Sequence, residues 1–385
     1  MRTIPNLEEV LAPIDEIINN SFIPSITEGH VLSTKDRKLL SLPVKLGGMG
    51  IPIFTEICQT EYENSLKATK LLRPKIVAQE TSFTLDRKAE NAIDKEIRKE
   101  RDEKNLRILE ELRTSMSKMQ QRGNDLAQMK GGSSWLTALP LKEEGFILTK
   151  REFFDAIAIR YTWELKRLPT HCVCKKKFDM EHAMSCKNGG YVIRRHNRLR
   201  DMFAELLNQV ADEVQIEPPL EPLTGERLDT GSITAKDARL DIAARGFWQQ
   251  YEMAYFDVKV FNPYAKSYMN QPLDSAFSSG ESTKKRAYNN RVIRIEHGTF
   301  TPLVFSSCGG NGFETGAFVS KLTEKLAEKK ALHENVVVAN YIRTKVSFEL
   351  VRSQVACIRG SRRLRKIRID PGEMEMVTNT ATINE

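Results

Sequence analysis

A chain of 385 residues is too long for one ordinary hydrophobic core, so two or three domains are expected. Hydrophobic residues make up 40% and charged residues 29%; no apolar run approaches the length of a membrane span, and the start lacks the apolar stretch of a signal peptide, so an intracellular protein without a membrane partner is expected. The formal net charge of +8 points to an anionic partner, most simply nucleic acid.

Residues 1–84 read as helical. Asn6 precedes an apolar-periodic run (Leu7, Val10, Leu11, Ile14, Ile17, Ile18), and Glu9 stands at capping-box spacing from it. The segment LSLPVKLGGMGIPIF that follows is broken by Pro43, Gly47, Gly48, Gly50 and Pro52. It reads as a turn-rich structural piece. A phosphate-cradling loop is the sharper alternative, but no Gly-Lys-Ser/Thr follows it. Residues 85–130 form a charge-dense helical linker, with Asp94 and Arg98, Glu100 and Lys104, and Glu103 and Arg107 as acid-before-base pairs at helical spacing. Residues 131–170 open on Gly131, Gly132, Ser133 and Ser134. They continue as a helical connector in which Thr149 and Glu152 cap a helix running to about Lys166.

Residues 171–190 hold Cys172-x-Cys174, then His182 and Cys186. Four such ligands in so short a stretch suit tetrahedral zinc, with His182 and Cys186 one helical turn apart and Cys172 and Cys174 on a tight loop. A stretch this short cannot fold on its own apolar area, so the metal would be structural. His171 is an alternative ligand, and a reduced, half-buried turn without metal is the bland reading. The six cysteines do not otherwise form the pattern of a disulfide framework.

Residues 191–312 begin with an amphipathic helix whose start is crowded by Arg194, Arg195, His196, Asn197, Arg198 and Arg200. Arginines there oppose the helix dipole, and a polyanion would offset them; a solvated face is the plainer reading. Next, RLDIAARGFWQQYEMAYFDVKVF reads as two strands joined by a turn over residues 246–251. Side chains alternate along a strand, so Asp257 and Lys259 share a face. If the hairpin folds symmetrically about Gln249, Asp241 stands opposite Asp257. Two carboxylates and an amine on a buried face need neutralising, and Mg²⁺ would serve, making D…D-x-K a candidate phosphodiesterase centre. An exposed edge with scattered charges is the alternative. A helix over about 282–295 and the strand TPLVFSS follow, and GGNG closes the unit. Residues 313–358 read as two helices, and 359–385 as a basic flexible tail suited to phosphate screening or nuclear import.

Taken in order, C-x-C…H…C, then R-H-N, then R-L-D…D-V-K resembles the C-terminal half of LINE-type (non-LTR) retrotransposon proteins that carry a restriction-like endonuclease. LPVKLGGMGIPIF is similar to the region just past the polymerase palm of the same proteins. The likeness is strongest over residues 135–312 and rests on the order and spacing of short motifs. It implies an α/β (α+β) protein with a PD-(D/E)xK restriction-endonuclease-like αβββαβ core, a zinc knuckle, and helical regions on both sides. It further implies Asp241 and Asp257 as Mg²⁺ ligands, Lys259 as the residue that positions or activates water, and Glu205 as an additional acid. Arg195, His196 and Asn197 match a basic motif near the DNA backbone, and Lys284, Lys285 and Tyr288 match a lysine–tyrosine helix with phosphate contacts. The implied activity is a DNA nick that primes reverse transcription, with DNA and the element's RNA as partners and the nucleus, or the cytoplasm before import, as location. A catalytically inactive, zinc-containing binding remnant is the alternative. Two departures stand out: Leu240 replaces the proline usual before the first acid, and no Asp-Asp dipeptide occurs, so no reverse transcriptase activity is expected from this chain. It looks like a truncated, fragmentary or separately encoded tail of such a protein.

Overall fold

A computed structural model describes residues 1–362 except 81, 83, 85 and 332–334. The protein is mixed α/β, with one small mixed sheet among many helices. The N-terminal helices are α1 (Glu8–Ile17), α2 (Ile23–Ile26), α3 (Thr34–Ser41), α4 (Phe54–Ala68), α5 (Arg73–Val77), α6 (Arg87–Thr114), α7 (Lys118–Gln128), α8 (Ser134–Thr137) and α9 (Lys150–Tyr161). The expected Asn6–Glu9 capping box does not form. Asn6 adopts a left-handed backbone, and α1 starts behind Leu7 with no side-chain cap, leaving Glu8 and Glu9 to face the helix dipole. The Thr149–Glu152 box does cap α9, which stops short of Lys166 because Thr162 turns left-handed.

The glycine-rich segment after α3 is structural. Its backbone folds back on Leu40 and Leu42, and Arg160 of α9 donates to the Gly48 carbonyl while Asn124 donates to that of Leu46. The charged linker is the 28-residue α6, broken from α7 at Ser115–Ser117, where Ser117 and Gln120 make a new capping box. Its charges reach neighbours more than each other: Glu100 pairs with Lys67 at 2.7 Å, Arg101 with Glu61 at 2.8 Å and Asp102 with Lys45 at 2.9 Å. Ile97 and Leu109 turn inward, so the arm lies on the helical core.

The remainder builds around the sheet: α10 (Met180–Ser185), α11 (Tyr191–Leu207), β1 (Glu213–Ile216), β2 (Ile242–Arg245), β3 (Met253–Phe261), α12 (Lys266–Met269), α13 (Leu273–Arg291), β4 (Thr299–Ser306), α14 (Phe313–Lys329) and α15 (Asn335–Arg359). The sheet runs β1-β2-β3-β4, antiparallel twice and then parallel, with α13 as the crossover to β4. α13 begins at Leu273, earlier than its sequence pattern suggests, and ends in a π-helical turn over Val292–Glu296. The alternation of side chains divides the sheet cleanly. Ile242, Ala244, Phe256, Val258, Leu303 and Phe305 face α11 and α14, meeting Phe203, Phe318 and Leu322 in the main core. Ala243, Tyr255, Phe300, Val304 and Phe261 face the other way, toward α13.

α15 ties the parts together. Val338, Ile342 and Leu350 enter the sheet core, Phe348 and Val351 the N-terminal helical core, and Cys357 and Ile358 the cysteine-rich cluster. At its end the expected flexible tail does not begin. Arg359 grips Asp155 of α9 bidentately through Nε and Nη2, and Arg362 stacks over Phe178 and Tyr191; residues 363–385 lie outside the described residues. Asp155 is 1% exposed, so losing its partner would leave a buried carboxylate uncompensated. Arg359→Ala should therefore lower stability by about 3–5 kcal/mol in urea unfolding; a loss under about 1 kcal/mol, as for a surface pair, would refute the assignment.

Candidate active site and metal centre

The cysteine–histidine stretch folds into a small knuckle. An isolated bridge between His171 and Lys177, with the Cys172 N–H donating to the Lys176 carbonyl at 2.9 Å, closes the loop that carries Cys172 and Cys174. Lys175 takes the left-handed backbone that so tight a loop requires. Asp179 caps α10, placing His182 in the helix and Cys186 at its end, where the Cys186 N–H returns to the His182 carbonyl. The four ligand atoms lie within 4.8 Å of one another. Cys172 Sγ and Cys186 Sγ are 3.8 Å apart, and Cys174 Sγ is 3.3 Å from His182 Nε2. A zinc tetrahedron with ordinary bond lengths has edges of about 3.8 Å between sulfurs and about 3.5 Å between sulfur and nitrogen. The donor set and its spacing therefore fit a metal such as zinc. His171, the alternative ligand, is exposed and turned to Thr170.

The knuckle is docked, not dangling. Its cysteines pack with Ile159, Phe178, Met184, Tyr191 and Ile358. Asn262, at the end of β3, donates to the Glu181 carbonyl at 3.2 Å and to Ser185 Oγ at 3.0 Å. Arg195 corrects the expectation of a DNA-facing arginine: it is 2% exposed and donates to the Met184 carbonyl, joining α11 to α10. Cys357 and Cys308 lie beside it, and burial pushes the Cys308 thiol up to about 12.

The acidic site forms at the hairpin. Gly246 takes a positive φ at the turn, and the pairing of Ile242 with Phe256 sets the register anticipated about Gln249. The Asp241 N–H donates to the Phe256 carbonyl at a bend just before β2, and Asp241 lies near enough to Asp257 for its charge to act on that carboxyl. Lys259 shares the Asp257 face of β3. Asp241 is held at both oxygens: Oδ2 accepts from the Val258 N–H at 2.6 Å and Oδ1 from His196 Nε2 at 2.9 Å. Asp257 differs. Its side chain is 7% exposed, and Lys284 Nζ of α13 lies 2.6 Å from Oδ2, a buried ion pair.

Burial pushes the Asp257 carboxyl up to about 6 despite the pull of Lys284, and the Asp241 charge adds to the rise. The two members of this pair shift in the same direction. Burial would lower the Lys284 amine, but the attraction of Asp257 and Asp241 outweighs it, whereas at the more deeply enclosed Asp257 burial wins. Lys259 is held below the usual lysine range by burial and then by Lys284. Its amine lies beneath α13 at Gly280, where a Cβ would stand 2.9 Å from Val304 Cγ1 and 3.7 Å from Lys259 Nζ. At His196, burial opposes the charged form, but the bond to Asp241 prevails and raises its pKa.

No protein-family model and no curated protein sequence matches the chain.

The other nominated residues divide. Tyr288, one turn beyond Lys284, stacks against Phe300 and lies under the Lys284 ammonium. Lys285 pairs with Glu314 of α14. Asn197 is half-buried on α11. Glu205 is nine residues from His196, about two and a half helical turns, and so projects from the opposite side of α11. It lines a separate groove with Arg198, Asp201, Lys345 and Glu349, away from the acid pair. Sequence reasoning missed Glu217, whose N–H donates to the Asp241 carbonyl and whose carboxylate pairs with Arg200. The long connection between β1 and β2 hid that neighbour. Among the described residues, the knuckle is the one group of three or more potential ligands brought together; the acid pair offers two carboxylates.

Protein purified under reducing conditions should carry about one zinc per chain. Cys186→Ser should lose the metal and lower the melting temperature, as should treatment with a strong chelator. Elemental analysis showing no metal in the folded wild type would end the assignment.

Proposed function

We propose that this chain is a Mg²⁺-dependent DNA endonuclease, the nicking module of a non-LTR retrotransposon. The observation that carries the reading is the β2–β3 hairpin, which brings Asp241, just before β2, near Asp257, with Lys259 on the same face of β3 as Asp257. The sequence of elements α11, β1, β2, β3, α13, β4 supports a PD-(D/E)xK core, since it repeats the αβββαβ order. Two neighbouring carboxylates, the Asp241 charge raising the buried Asp257, fit a hard cation, which is commonly held by one or two carboxylates with water and phosphate completing its shell.

On this reading Asp241 and Asp257 hold the ion. When bound, Mg²⁺ supplies charge stabilisation at the scissile phosphate and its leaving oxygen. Lys259, its amine kept below the ordinary lysine range, orients the attacking water and can take its proton. Lys284 leaves Asp257 for a phosphate oxygen as DNA enters, with Tyr288 beneath it. The knuckle acts structurally, fastening α11 and the end of β3. DNA is the substrate, the element's RNA a further partner, and the nucleus the place of action. A binder without catalysis draws on one observation, the Lys284 contact that already neutralises Asp257; it requires DNA binding with no Mg²⁺-dependent cut.

Purified protein with Mg²⁺ should nick duplex DNA, and Asp257→Ala should reduce the rate by about a hundredfold or more with DNA binding retained. Equal nicking by wild type and variant removes the assignment. A protonated carboxyl is a poor ligand, so activity should rise as the pH passes about 6. Because Mg²⁺ competes with the proton, the midpoint of that rise should move to lower pH as Mg²⁺ is increased. A midpoint indifferent to Mg²⁺ would mean that another group sets the profile.

A further inference from the structure

We infer that His196 is a positioning residue for Asp241, setting the carboxylate for the cation and making no contact with the DNA backbone. The inference rests on the endonuclease reading above and assigns the R-H-N segment a different task from the one its basic character suggests. A carboxylate oxygen can only accept, so His196 Nε2 carries the proton it shares with Asp241 Oδ1 over 2.9 Å. The second oxygen is fixed by the Val258 N–H at 2.6 Å. With a donor on each oxygen, rotation of the Asp241 carboxylate about its own bond is blocked before any ion arrives. Either donor alone would leave that rotation open.

The imidazole is itself well rooted. The preceding residue, Arg195, is clamped to the Met184 carbonyl, and Leu199 and Phe203, three and seven positions on, are sunk in the sheet core. A histidine held this way delivers its N–H to a fixed point. The segment's other two residues do not restore a phosphate clamp: Arg195 is buried, and Asn197 is half-buried. Carboxylate ligands of metal sites are commonly oriented by a hydrogen-bonding partner of this kind, and losing such a partner typically costs about 10–100-fold in metal affinity or activity.

The test uses the full, zinc-loaded chain and compares wild type, His196→Ala and His196→Gln, whose side-chain amide can restore the donor. Mn²⁺ binding is titrated without DNA, duplex binding is measured without added divalent ion over a range of salt, and nicking is followed against Mg²⁺. His196→Ala should weaken Mn²⁺ binding by about ten- to a hundredfold and shift the Mg²⁺ dependence of nicking to the same extent. Its metal-free DNA affinity and salt slope should match wild type, and His196→Gln should recover most of the Mn²⁺ affinity. Unchanged Mn²⁺ binding in His196→Ala, or a fall in DNA affinity with a shallower salt slope as for a lost phosphate contact, overturns the inference while leaving the nuclease reading intact. A wild type that neither binds Mn²⁺ nor nicks removes both. If His196→Ala melts well below wild type, His196→Gln decides: failure of a well-folded His196→Gln to bind Mn²⁺ better than His196→Ala counts against the positioning role.

Discussion

Everything at the acidic site depends on one register, the pairing of Ile242 with Phe256 across the β2–β3 hairpin, which brings Asp241 near Asp257. Because side chains alternate with a period of two, slipping the hairpin by a single residue would send one carboxylate into the apolar core beside Phe203 and Phe318. That core resists the slip. Ile242, Ala244, Phe256 and Val258 are all at or below about 1% exposure, and none tolerates a turn toward α13 without leaving a void and burying an acid. The site is thus specified from behind: apolar residues on one face of the sheet decide which polar residues meet on the other.

A second chain of contacts runs from the knuckle. Its ligands fix α10, the Met184 carbonyl of α10 holds Arg195, and the next residue on α11 reaches Asp241. Asn262 makes a parallel link from the knuckle to the end of β3. A structural metal would in this way brace both elements that present the acids, without lying among them. Charge follows the same plan. Each carboxylate faces a cationic or proton-bearing side chain from a helix, His196 for Asp241 and Lys284 for Asp257, so a deeply enclosed pair of acids is tolerable before a cation binds.

Apart from the cap at Asn6, local signals in the sequence were reliable where the relevant contacts are local. The turn about Gln249, the ligand spacing from Cys172 to Cys186, the Thr149–Glu152 cap and the helices after Gly312 are all settled within a few residues, and the structure shows each of them. Reading became unreliable where a long-range partner decides. The basic appearance of the α11 start concealed that Arg195 is buried against another helix and that Arg200 pairs with Glu217. Glu205 was named for its place in a motif, but helical periodicity puts it on the wrong side of α11. Arg359 and Arg362 read as tail and serve as anchors, because their partners on α9 and the knuckle lie far away in sequence. Of the i,i+4 pairs foreseen along α6, Glu100 turns to Lys67 and Lys104 to Thr60 of α4, contacts that a single-helix pattern cannot foresee, while Glu103 pairs with Lys99 within α6.

Gly280 shapes the surroundings of Lys259. It is the flat place on α13 that leaves room for the strand lysine, with Val304 filling the rest of the gap. A methyl group there would press on Val304 and come into ordinary contact with the lysine, so the surroundings of the amine are set in part by a helix some twenty residues away from it, at 280 against 259. Two acids and a lysine recur by chance in many chains. The helical glycine that follows the same three at that remove shapes the space around the amine, while the three supply the groups themselves.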